Sequence, residues 1–71
     1  MLSDPTLAVD VYALLIEARG LLANSVAGIK GRCSDQEYVG YRRAIGEVLD
    51  VLIAEALEPI RAAHPGVDFP N

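Results

Sequence analysis

Two stretches of this chain carry apolar residues at helical spacing around most of the helix circumference, and that width restricts what it can fold into. In the first, Ala8, Val11, Leu15, Ala18, Leu22, Val26 and Ile29 recur at steps of three and four. In the second, Tyr38, Tyr41, Ile45, Val48, Leu52 and Ala56 do the same. This is helical periodicity, and there is no alternation of the kind a strand requires. On a wheel of about 100° per residue, the polar positions of the second stretch fill an arc of only about 80°. In the first stretch Asp10, Glu17 and Asn24 form a narrow polar stripe. A helix touching one neighbour needs an apolar stripe of little more than about 100°.

Local signals place the helix ends. Ser3 and Asp4 precede Pro5, and proline suits a first helical position. No breaker other than Gly20 follows before Gly28, so a first helix is expected over residues 5–27 and a turn over 28–33. Ser34-Asp35-Gln36-Glu37 matches a capping box, which opens a second helix at 34. Pro59 lacks an amide proton and disfavours helix at Glu58, so this helix should kink or end there. A short helical turn is expected to continue to 63, followed by a proline-flanked tail over 64–71, extended or loosely ordered. Gly46, and less directly Gly20 and Gly40, suggest close helix approach, since a mid-helix glycine costs about 1 kcal/mol against alanine.

The predicted fold is all-α: one domain over residues 1–71, an antiparallel two-helix hairpin with a Pro-kinked C-terminal helical extension. A lone hairpin has a single interface. Leaving six Leu, Ile or Val side chains half exposed forgoes on the order of 5–9 kcal/mol, comparable to a small domain's whole stability. The chain has 71 residues, 52% of them hydrophobic, and one cysteine. An internal disulfide is therefore excluded, and one His with one Cys does not form the usual zinc cage. Unusually good helix packing or a partner subunit remains, and the partner subunit is the leading solution. A homodimer closing into a four-helix bundle is its simplest form, although a heteromeric partner satisfies the same arithmetic. The candidate partner or dimer interface comprises Tyr12, Tyr38, Tyr41, Ile45, Val48, Leu49, Leu52 and Ile53.

Function is constrained mainly by exclusion. A net charge of −4 disfavours direct nucleic-acid binding and adsorption to an anionic membrane. No apolar run is long enough to span a bilayer, and the N-terminus does not resemble a signal peptide, so a cytoplasmic protein is expected. No cofactor, metal site or catalytic constellation is expected. His64 and Asp68 lack a nucleophile nearby in sequence, and His64 suits a helix C-terminus. Cys33 lies before a helix N-terminus beside Lys30 and Arg32, which favours a thiolate, but no resolving cysteine exists. Gly28 and Gly31 do not have phosphate-loop spacing.

Arg19 and Arg42 fall within the apolar arcs and Glu55 near the edge of one, which makes them a candidate ion-pair or anion site. Two functions follow as expectations. The first is a non-enzymatic interaction module, a small acidic homodimer acting as adaptor or stoichiometric inhibitor of a larger protein. The second is a bundle that binds a small ligand or anion through Arg19 and Arg42.

Overall fold

A computed structural model describes all 71 residues and is all-helical. Helix α1 spans Pro5–Ile29 and α2 spans Asp35–Leu52. A π-helical turn, Ile53–Leu57, then joins α2 to the short α3, Glu58–Ala63. The two arms form a hairpin measuring 45 × 16 × 13 Å.

The caps explain where the arms begin. The Thr6 amide donates to the Asp4 carboxylate at 2.9 Å, and Pro5 occupies the first turn, where its missing N–H is not needed. At α2 the capping box is complete. The Glu37 amide donates to Ser34 Oγ at 3.1 Å, and the Ser34 amide donates to Glu37 Oε1 at 3.0 Å. The Ser34 backbone amide, and secondarily its side chain, hold the Glu37 carboxyl below its ordinary pKa of 4.5.

The segment between the helices acts as a cap as well as a turn. Gly31 sits at φ 80°, a left-handed conformation that glycine adopts without penalty. The Arg32 guanidinium donates to the Gly28 carbonyl at 3.3 Å and Cys33 Sγ to the Ile29 carbonyl at 3.6 Å. Both serve carbonyls that have no partner within the last turn of α1.

Helical dihedrals persist at Glu58 (φ −65°, ψ −44°), so the second arm does not end before Pro59. The π turn supplies the physical reason. Proline removes an amide, and its ring crowds the carbonyl four residues back. In a π turn each amide instead reaches five residues back, as the Glu58 amide does to Ile53. The wider turn therefore accommodates the proline within a continuous arm.

The core lies at the open end of the hairpin and has five members: Ala8, Tyr12, Leu57, Ile60 and Phe69. Phe69 corrects the expectation of a loosely ordered tail. It is 7% exposed, and its ring lies 4.7 Å from that of Tyr12. The His64 ring packs near Phe69, and its Nε2 donates to the Leu2 carbonyl at 2.6 Å, since a carbonyl oxygen can only accept. His64 thus uses its ring to fasten the two chain ends together, while its backbone amide caps Arg61. Leu2 holds φ 55°, a conformation that leucine adopts at a cost of about 1–3 kcal/mol unless its surroundings fix it. The bond to His64 and the packing of Leu2 on the core do so.

Glycine does not mark close approach within the hairpin. A Cβ built on Gly20, Gly40 or Gly46 would meet nothing within 4 Å. The expectation drawn from Gly46 therefore fails inside the chain, where the helices pack through side chains.

Candidate functional site

The chain buries little of itself. Its accessible surface is 5003 Å², whereas a compact monomer of 7.6 kDa would expose about 4300 Å². Its radius of gyration is 14.9 Å, against about 11 Å for a compact domain of this length. The excess surface is unevenly distributed. Leu7, Leu14 and Leu21 repeat at seven-residue intervals along α1 and are all exposed, the last two at 64% and 67%. On α2, Val48 and Val51 are exposed at 49% and 61%.

These two stripes lie on one side of the hairpin. The seam of α1 is centred on Ala8, Tyr12, Leu15, Leu22 and Val26, which are buried or half-buried. At about 100° per residue, Leu7, Leu14 and Leu21 stand about 120° from that centre. Ala44, Val48 and Val51 stand about 100° from the Ile45–Leu49–Leu52 seam of α2, in the same rotational sense. In antiparallel helices equal senses point to the same side. A hydrogen bond agrees with this placement: Tyr41, in phase with Val48, meets Ser25, in phase with Leu7, at 2.7 Å. Ser25 Oγ also lies 2.6 Å from the Leu22 carbonyl. The serine has one proton and the carbonyl none, so Ser25 donates to Leu22 and Tyr41 donates to Ser25.

On the other side of the seam, Val9, Ile16 and Ile53 pack against the core that Phe69 completes. The hairpin thus covers part of one face with its own tail and leaves the other open. On the open side Ala44, Glu47, Val48 and Val51 line a shallow, mainly apolar depression of about 440 Å³.

The residues expected at an interface divide among three environments. Tyr12 is buried in the chain's own core, with the Arg61 guanidinium 5.8 Å from its ring centre. Tyr38, Tyr41, Ile45, Leu49, Leu52 and Ile53 are half-buried along α2 and the π turn, and Val48 is exposed on the open face. Periodicity alone identified the apolar arcs. It did not separate the part used inside the hairpin from the part left open, so Leu7, Leu14, Leu21 and Val51 were missed. Their signal was the exact seven-residue spacing of the leucines.

The three charged candidates do not form a cluster of ion pairs. Arg42 is exposed, with its guanidinium 5.7 Å from the centre of the Tyr38 ring. Arg19 is half-buried on α1, and Glu55 is exposed in the π turn. The ion pair in the structure is Arg43–Glu47, at 3.9 Å on the solvent side of α2. A second depression, of about 430 Å³ at the turn, is lined by Ile29, Arg32, Cys33, Glu37 and Tyr41 and contains neither Arg19 nor Arg42. No group of three or more His, Cys, Asp or Glu side chains is arranged to hold a metal. No helix is long and apolar enough to cross a membrane.

Fold and surface together define an elongated α-hairpin with one open apolar face. The chain has no significant match among protein-family models, curated proteins or solved structures.

Proposed function

We propose that this protein is a non-enzymatic interaction module, a small acidic homodimer that acts as adaptor or stoichiometric inhibitor of a larger protein. The observation that carries the reading is the open apolar face. The whole chain's surface excess of about 700 Å² over a compact monomer is close to the roughly 800 Å² that each partner contributes to a standard interface. Two hairpins joined through this face make a four-helix bundle, with the C-terminal extension bent at the π turn. The acidic charge would then lie on the outside of the bundle, available to a basic surface of the larger protein. A cytoplasmic location, which keeps the single thiol of Cys33 reduced, fits this reading.

The alternative, ligand or anion binding through Arg19 and Arg42, has less support, because neither arginine lines a depression. A thermal-shift panel of phosphates, carboxylates and nucleotides separates the two. The module reading expects no stabilisation across the panel and a dimer by light scattering. Saturable stabilisation that is lost in Arg42→Ala would favour the alternative.

A further inference from the structure

We infer that the open face receives a second copy of this chain in one particular arrangement. The leucine ridge of one α1 lies in the α2 depression of the partner, and both turns are at the same end of the bundle. The inference rests on the dimer reading above and adds the interface and its geometry. Shape supplies the first reason. The ridge carries large side chains, Leu14 and Leu21, whereas the facing stripe on α2 is smaller, Ala44, Val48 and Val51, and is hollowed by the depression. Ridge against ridge would collide, and hollow against hollow would leave voids. Ridge against hollow satisfies both copies, as a two-fold interface requires.

Register supplies the second reason. The Ser25–Tyr41 hydrogen bond fixes the heights of the two arms. Counting along the antiparallel helices from that bond, Leu21 stands level with Ile45, one residue from Ala44; Ala18 stands level with Val48; and Leu14 stands level with Leu52, one residue from Val51. A two-fold axis parallel to the helices preserves height. It therefore sets Leu14 and Leu21 within one residue, about 1.5 Å, of the partner's hollow, and every neighbouring pair of helices is antiparallel. The alternative axis, across the helices, stacks α1 on α1. It sets the two ridges together and brings the acidic Asp10–Glu17 edges of both copies to the same side.

The single cysteine lies at the turn and reports the arrangement. Packed helix layers are about 8–10 Å apart, so spin labels on the two Cys33 residues should fall within roughly 25 Å of each other. Turns at opposite ends would separate them by most of the 45 Å length. A second test needs no label. Leu21→Ala and Ala44→Leu should each weaken the homodimer, by leaving a void and by overfilling the hollow. Mixing the two variants should give a heterodimer tighter than either, by at least about tenfold, because one site is then compensated and the other is native. A short label distance together with that rescue is the expected result. A dimer with a long distance or without rescue overturns the arrangement and leaves the dimer reading intact. A folded monomer overturns both.

Discussion

Replacing Phe69 with alanine should be among the most damaging single changes in this chain, although the residue lies two positions from the end of an irregular tail. Phe69 is 7% exposed, is one of five core residues and packs on Tyr12 with ring centres 4.7 Å apart and planes tilted by 43°. Truncating a buried phenylalanine costs about 3–5 kcal/mol through lost transfer energy and the remaining cavity. The aromatic pair with Tyr12 adds about 0.5–1.5 kcal/mol. Domains of this length have a total stability of roughly 4–11 kcal/mol, so the variant should be close to unfolding at room temperature. The assay is urea denaturation followed by circular dichroism. Protein concentration must be held constant, because the proposed dimerisation would link the midpoint to concentration. Phe69→Leu serves as the comparison and should cost less, about 1–2 kcal/mol, since it keeps most of the apolar volume but loses the aromatic pair. A loss below about 0.5 kcal/mol in Phe69→Ala, the range of an ordinary surface change, would refute the tail's place in the core.

Three further outcomes follow from single contacts. Gly46→Ala should stabilise the hairpin by about 0.5–1 kcal/mol, since a Cβ there meets nothing and alanine is the better helix former; thermal melts check this, and a loss would mean that another chain packs against Gly46. Tyr41→Phe removes the donor to Ser25 and should cost about 0.5–1.5 kcal/mol in urea unfolding. Glu37 has a lowered pKa, so the stability its carboxylate adds is complete above pH 4.5 and is lost as the pH falls through the lower folded value; the stability difference between wild type and Glu37→Gln should therefore shrink on acidification, and a constant difference would contradict the capping role.

What could be read from the sequence depended on the range of each interaction. The all-helical fold and the capping box at Ser34 rest on neighbours three or four residues apart, and sequence spacing reports those directly. The tail was not legible. Phe69 and Tyr12 are distant in sequence, and a lone aromatic between Asp68 and Pro70 carries no periodicity. The His64–Leu2 bond joins opposite ends of the chain for the same reason. At Pro59 the rule that proline disfavours helix at the preceding residue did not hold, because Glu58 stays helical behind a π turn that accommodates the ring. The apolar arcs were visible, yet their division between seam and open face depends on where the partner helix lies. That position follows from the hairpin's packing and not from either helix alone.

Light scattering across a micromolar concentration series decides whether a second copy fills this open face. The expected mass is twice that of the 7.6 kDa chain, with Leu14→Glu shifting the species toward monomer. A compact 7.6 kDa species that melts cooperatively throughout the series would contradict it.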